Sequence, residues 1–277
     1  GVAQALMVLF LFKYGAFVEN TCRSLLGLPP GHLAPMLMIL PLAISFFTFE
    51  FIHFAADNYN GKIVERDFLK YGAFIFFFPT LVSGPIKRYQ DFIPKVEIAT
   101  LSAESIRRGI TLMLIGYFKK FVIADSLVRI TRLLSPEWLP NISGTLVWQG
   151  VFAYGLRIYF DFSGYADIAL GASLLFGIAV PENFNNPYAK SNISEFWKNW
   201  HISLYKWFVD YVFIPLGGSR TGKGTIMRNI LIVTTLSGIW HGASWNFLLW
   251  GWYHGALLCL FHAFQQKTTV AHSIKPF

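Results

Sequence analysis

The sequence predicts an all-α polytopic membrane protein, and three observations carry that expectation. The 277 residues are 54% hydrophobic and 18% aromatic but only 14% charged, against about a quarter charged in ordinary soluble domains. Mean hydropathy is +0.46, which leaves too few polar groups to wet the surface of one soluble globule. The apolar residues gather into stretches of helical span length separated by turn residues rather than into alternating patterns. Disordered, fibrous and disulfide-framed classes are excluded by the same composition. The net charge of +8 sits in connections between apolar blocks, so it reads as membrane-flanking loops and not as a nucleic-acid footprint. Cys22 and Cys259 form neither a disulfide framework nor a metal-ligand spacing. The chain starts at Gly1 inside a hydrophobic run, without an initiator Met, charged n-region or cleavage site, and is expected to be part of a longer protein. Residues 1–277 are read as a single membrane domain.

Crossing a hydrocarbon core of about 30 Å takes roughly 20 mostly apolar residues. The candidates, in order, are Gly1 to Val18 with Lys13 inside it, Ala34 to Ala55, Tyr71 to Ser83 broken by Pro79, Gly109 to Leu134, Leu146 to about Ile178, Asn229 to Trp240, and Ala243 to Ala263. Pro29-Pro30-Gly31, Asn58 to Gly61, Gly84-Pro85, Pro136 to Asn141 and Gly217-Gly218 supply the turns between them. No repeat of fixed period occurs, which weighs against a repeat-built transporter using Asp161 and Asp167.

The distribution of Lys and Arg orders the spans. Residues 87–108 hold five and 190–228 hold six, whereas 135–145 hold none, so the first two connections belong on the cytoplasmic side and the third outside. Leu146 to Ile178 must then return in one net crossing. It is too long for one straight span, and a break is expected near Asp161 to Gly164, buried in protein. Arg157 and Asp161, four residues apart, read as a pair bracing that break. In residues 191–218, Phe196, Trp197, Trp200, Leu204, Trp207, Phe208 and Tyr211 recur at three- and four-residue spacing, with Glu195, Lys198, Asn199, Lys206 and Asp210 on other faces. This is the pattern of an amphipathic helix or helix pair lying in the cytoplasmic interface.

Two histidines are candidates for chemistry, because a titratable group at bilayer depth is costly unless it works. His241 lies between Gly238 and Gly242 at the junction of two apolar stretches, where small neighbours let another backbone or a substrate come close. The residues alone leave a general base and a structural histidine bonded to a neighbouring carbonyl as open readings. His201, one turn from Trp197 if the segment is one helix, either lines a cavity or snorkels to headgroups. The remaining histidines, His32, His53, His254, His262 and His272, show no ligand spacing, and no metal site, phosphate loop or nucleophile elbow is present.

Four blocks in order carry a resemblance: Phe78-Pro-Thr-Leu-Val-Ser-Gly-Pro-Ile-Lys-Arg-Tyr89; Ile158-Tyr-Phe-Asp-Phe-Ser-Gly-Tyr-Ala-Asp167; Pro181-Glu-Asn-Phe-Asn-Asn-Pro-Tyr188 with Phe196-Trp-Lys-Asn-Trp-His-Ile-Ser-Leu204 and Tyr211-Val-Phe-Ile-Pro-Leu-Gly-Gly218; and Gly238-Ile-Trp-His-Gly-Ala-Ser-Trp-Asn246. Together they resemble the membrane-bound O-acyltransferase family, above all its bacterial alginate O-acetylation branch. The resemblance implies a curved bundle of membrane helices with re-entrant or interfacial pieces around a tunnel. It implies His241 as catalytic base or acyl relay and His201 as its catalytic partner, no permanently bound cofactor, and acetyl-CoA or a similar acyl donor as substrate on the cytoplasmic side. It further implies a multi-pass protein of the bacterial inner membrane that passes acetyl outward to alginate-like polysaccharide hydroxyls with periplasmic acetyltransferases and polysaccharide machinery. Peptidoglycan, cellulose and D-alanyl acceptors remain alternatives within the fold. A non-catalytic conduit for a periplasmic acetyltransferase is the alternative of a different class.

Overall fold

A computed structural model describes residues 2–29, 31, 41–63, 67–220 and 222–273. Among the described residues the chain is helical, with no strand. The helices are α1 (Val2–Leu25), α2 (Ile44–Tyr59), α3 (Phe68–Ile75), α4 (Tyr89–Glu97), α5 (Ala103–Tyr117), α6 (Gly144–Leu174), α7 (Ile193–Asn199), α8 (Ile202–Phe208), α9 (Lys223–His241) and α10 (Trp245–Ser273). Contacts divide them into two compact units, one of residues 65–184 with α3 to α6, the other of residues 1–64 and 185–277 with the rest. Among the described residues two helices, Val2–Leu25 and Trp245–Gln265, are long and apolar enough to cross a membrane. Of the expected span from Ala34 to Ala55, residues 34–40 lie outside the described residues, as does His32; α2 runs on from Ile44.

In the unit of residues 65–184 helices start where the sequence supplies an acceptor for their orphan amides. Asp67 accepts from Leu69 N at 2.7 Å and opens α3. Ser102 and Ser105 cap one another at the start of α5, and the Ser143 hydroxyl accepts from Leu146 at the start of α6. The stretch from Tyr71 to Ser83 is not one helix. Here α3 ends at Ile75, and Pro79 sits in the short 3₁₀ turn Phe78–Thr80 that follows.

The expected break near Asp161 to Gly164 does not exist: α6 is one uninterrupted helix of 31 residues, about 46 Å long. Glycines that read as a break are instead a packing surface. A Cβ on Gly116 would stand 2.5 Å from the Gly164 carbonyl oxygen, and one on Gly171 would stand 2.5 Å from the Gly109 carbonyl oxygen. Because the two glycines of each helix are two turns apart, α5 and the antiparallel α6 touch backbone to backbone at two levels.

The carboxylates of α6 are likewise paired across the helices and not along one. After Tyr117 the chain widens into a π-turn, Phe118–Ala124. From it Lys119 reaches Asp167 at 2.6 Å and Lys120 reaches Asp161 at 2.5 Å. Arg157 donates to the Thr131 hydroxyl at 3.1 Å, so the expected Arg157–Asp161 brace is replaced by these contacts. A π-turn inserts one residue into the helical ladder, and two consecutive lysines can then serve one neighbouring helix.

In the unit of residues 1–64 and 185–277, aromatic anchors tie the segment after His201 to α2. Trp207 lies with its ring 4.3 Å from Phe49 and donates its indole N–H to the Phe49 carbonyl at 3.1 Å. Tyr211 donates to the fully buried Asp57 carboxylate at 2.5 Å. Residues 191–218 are helical in three pieces, α7, α8 and a π-turn Val209–Phe213, and not in one continuous helix.

Gly116→Val should lower the thermal unfolding midpoint in detergent, by the equivalent of about 1–3 kcal/mol, because the new methyls would run into the Gly164 carbonyl and into the backbone and side chain of Ile168. Gly72→Ala, where nothing lies within 4 Å of the added Cβ, should instead hold or raise it.

Candidate functional site

The candidate site is built on the helical hairpin of α9 and α10. A Cβ on Gly238 would collide with the Phe247 carbonyl oxygen and one on Gly251 with that of Thr234, so the two backbones are in contact. A Cβ on Gly242 would strike the Phe247 ring. The small residues flanking His241 therefore admit the neighbouring helix, and that approach fixes where the imidazole sits.

The end of α9 is held by α1. In the π-turn Phe10–Tyr14, Tyr14 donates to the Ile239 carbonyl at 3.1 Å, and the Lys13 ammonium donates to the Trp240 carbonyl and, at 3.0 Å, to the Ser45 hydroxyl. These are last-turn carbonyls of α9, which have no partner within their own helix. A cation is also favoured there by the helix dipole. The lysine that interrupts the first apolar stretch is thus a cap for the helix that ends at His241.

His201 reaches the same place by another route. It does not share a helical face with Trp197, because the helix breaks between them: His201 adopts left-handed backbone angles, φ 46° and ψ 54°, at the start of α8. A side chain with a Cβ is strained in that region. The bend turns the His201 ring toward Trp240, 6.3 Å away, while the His241 ring lies 4.9 Å from the same indole.

His201 and His241 consequently line one cavity of about 90 Å³, walled mainly by Trp197, Trp200, Phe208, Val233, Trp250 and Leu258. Their environments differ. His201 is sealed in, 3% exposed, whereas His241 falls among the exposed residues. A third histidine, His254, lines the cavity as well. Trp250 separates it from His241, 5.2 Å from His241 and 4.7 Å from His254. In the sequence His254 has no ligand spacing, and its relation to His241 exists only through the pairing of α9 with α10. Among the described residues no group of three or more His, Cys, Asp or Glu is placed to hold a metal ion.

A larger chamber of about 390 Å³ adjoins this cavity and shares with it the residues Trp197, Tyr205, Val233, Thr234 and Leu258. Its outer lining is polar, with Glu195, Lys198, His262 and Gln265. Lys198 donates to Glu195 at 2.7 Å, and that carboxylate holds its ammonium above the ordinary lysine range. On α9 the lining runs from Ile230 in the chamber through Val233, Thr234 and Ser237 to His241 in the small cavity. On α10 it runs from Gln265 through His262 and Leu258 to His254 and Trp250. The two spaces therefore follow one another along the hairpin over about 16 Å.

Comparison with known proteins bears on this geometry. The sequence model of MBOAT, the membrane-bound O-acyltransferase family, matches residues 36–273. A probable alginate O-acetylase of Azotobacter vinelandii is 38% identical over 96% of this chain and 53% of its own length. A peptidoglycan O-acetyltransferase of Helicobacter pylori is 34% identical over 100% of this chain and 57% of its own. A teichoic acid D-alanyltransferase of Bacillus subtilis is 32% identical over 96% and 68%. The chain spans about half the length of the alginate O-acetylase relatives it matches.

Tyr14→Phe, which removes only the hydroxyl that meets the Ile239 carbonyl, should cost about 1 kcal/mol of stability. Amide exchange should speed up at the last turn of α9 while remaining unchanged in α5 and α6; exchange that rises in all helices alike would sink the capping role.

Proposed function

The chain belongs to the membrane-bound O-acyltransferase family, and from that premise we propose that it forms the acyl-transfer part of a multi-pass enzyme of the bacterial inner membrane. It moves an acetyl group from a cytoplasmic thioester of acetyl-CoA type toward hydroxyls of an extracytoplasmic, alginate-like polysaccharide, together with periplasmic acetyltransferases. The observation that carries this reading is the convergence of His201 and His241 on one cavity, beside a polar chamber that shares part of its lining.

Charge supports the direction. Lys198, Lys206, Arg220, Lys223 and Arg228 gather around the chamber end of α9 in sequence, and such clusters remain on the cytoplasmic side. A donor entering there reaches His241 at the opposite end of α9. An acceptor comes to the accessible side of the same imidazole.

The chemistry follows from the two environments. An alcohol is a poor nucleophile, and a positioned imidazole removes its proton as the oxygen bonds to the acyl carbon. The carbon–sulfur bond breaks, and the proton passes from the imidazole to the departing thiolate. His241, exposed, can reach a hydroxyl. His201, sealed against Trp240, is suited to hold the acyl group beside it and not to exchange protons with water. Relatives named for peptidoglycan O-acetylation and for D-alanyl transfer indicate that the same arrangement could serve a different acyl group or acceptor, which makes the acceptor a property of the chain's context.

His241→Ala in the full-length protein, reconstituted in vesicles with labelled acetyl thioester, should lower transfer by about 10²- to 10⁴-fold per folded molecule. Its unfolding midpoint should hardly move, since exposed side chains contribute little to stability. His201→Ala should weaken transfer more than it lowers protein level. Wild-type transfer by the His241 variant would identify the protein as a conduit for a separate acetyltransferase.

A further inference from the structure

The unit of residues 65–184 holds a cavity of its own, about 320 Å³, between α5, the last turns of α6 and the segment that follows α6. It lies beside the level at which Gly109 and Gly171 bring the two helix backbones into contact. Two kinds of lining meet in it. Leu112 on α5 and Leu170 and Leu174 on α6 supply an apolar wall. Arg108, one turn from Leu112, and Glu182, beyond α6, supply one charge of each sign, and both are exposed residues. The remaining charge of the lining, Asp167, is already matched by Lys119 at 2.6 Å.

Arg108 and Glu182 do not neutralise each other. Among the described residues no ion pair joins them, and neither makes one elsewhere. Arg107, the neighbour of Arg108, is fixed on Glu104 by bonds of 2.9 and 2.8 Å, and Arg108 feels that carboxylate only through space. The segment that carries Glu182 is held in place, since Lys95 donates to the Ala179 carbonyl at 3.0 Å. Opposite charges that line one cavity without meeting suit a ligand that carries both. A guanidinium fork matches a phosphate. A primary ammonium brings three N–H donors to a carboxylate, whereas a quaternary one brings none and calls for an aromatic cage. Phe184 is the only aromatic residue in this lining among the described residues.

We propose that this cavity binds a phospholipid with a phosphoethanolamine headgroup. The phosphate accepts from Arg108, the ammonium donates to Glu182, and the upper acyl chains run along Leu112, Leu170 and Leu174. The depth is right for a lipid: Arg108 ends a connection, residues 87–108, whose five Lys and Arg belong at a headgroup layer and not in hydrocarbon. A soluble zwitterion would have no use for the leucine wall. The bound lipid ties α5 to the segment beyond α6, and so holds closed the end of the unit that the glycine contacts leave ajar. This site is separate from the histidine cavity and does not depend on the acyl-transfer reading.

The test reads binding and needs no turnover. The full-length protein, stripped of native lipid in detergent, is titrated with dioleoyl phosphatidylethanolamine, phosphatidylcholine or phosphatidylglycerol, and with soluble glycerophosphoethanolamine; complexes are counted by native mass spectrometry. The wild type should bind the ethanolamine lipid about tenfold more tightly than the other two, since the choline cation has no N–H and the glycerol headgroup no cation. The soluble headgroup should bind far more weakly than the lipid. Glu182→Gln should erase the preference without lowering affinity for the glycerol lipid, Glu182→Lys should turn the preference toward it, and Arg108→Gln should weaken all three lipids. The lipid-free unfolding midpoints should hardly move, because both side chains are at exposed positions. Equal wild-type binding of the three lipids, or a preference that survives Glu182→Gln, overturns the site. A soluble headgroup that binds as tightly as the lipid would make this a site for a free zwitterion and overturn the lipid as its occupant.

Discussion

The contact of two helix backbones at Gly238 and Gly251 is the constraint on which the site depends. With any side chain at either position α9 and α10 would be forced apart by the width of a methyl group or more, since the atoms in the way are the carbonyl oxygens of Phe247 and Thr234. Carbonyls of a helix cannot swing aside without breaking its ladder. The approach sets Trp250 between His241 and His254 and brings the cavity-lining residues of both helices face to face. The same device serves the other unit, where Gly109, Gly116, Gly164 and Gly171 bring α5 against α6. Lipid offers no hydrophobic drive for helices to associate, so close van der Waals contact between small residues has to supply it.

Once helices are that close, the charged groups between and beside them must be accounted for one by one. Lys13 is used up on the end of α9, Lys119 and Lys120 on the two carboxylates of α6, and Asp57 on Tyr211 and Lys62. Each of these is a charged residue inside or beside an apolar segment, and each has a structural reason.

Much of this was legible in the sequence, and the parts that were not share a cause. Helix existence followed from apolar stretches, and His201 and His241 stood out because tryptophan- and glycine-rich surroundings gave them no local polar partner. The break expected in α6 is absent because hydropathy and length describe a helix one at a time. Asp161, Ser163 and Gly164 look like a disruption along one chain, and become ordinary once α5 and the turn after it present glycines and lysines to α6. The π-turns that follow Leu9 and Tyr117 have no composition signature, yet they aim Lys13, Lys119 and Lys120. The bend at His201 was equally hidden, since a left-handed residue without glycine is fixed by tertiary packing. For His254 a faint signal existed: it lies between Gly251 and Gly255, the residues that let α9 approach, and four residues beyond Trp250.

The difference between the two central histidines follows from how each is reached by the chain. His241 ends a long helix, capped from α1, and is the more exposed residue of the two; His201 is turned inward by strained backbone and sealed against Trp240. An imidazole that must meet a bulky hydroxyl acceptor needs the first arrangement, because a polymer cannot enter a cavity of about 90 Å³. A group that must keep a reactive acyl carbon away from water needs the second. Along the hairpin the polar chamber is then followed by the cavity that holds both histidines. On the reading proposed above, the donor's arm and the acceptor never have to occupy the same space: they meet only at the imidazole of His241, and the acetyl group alone changes sides.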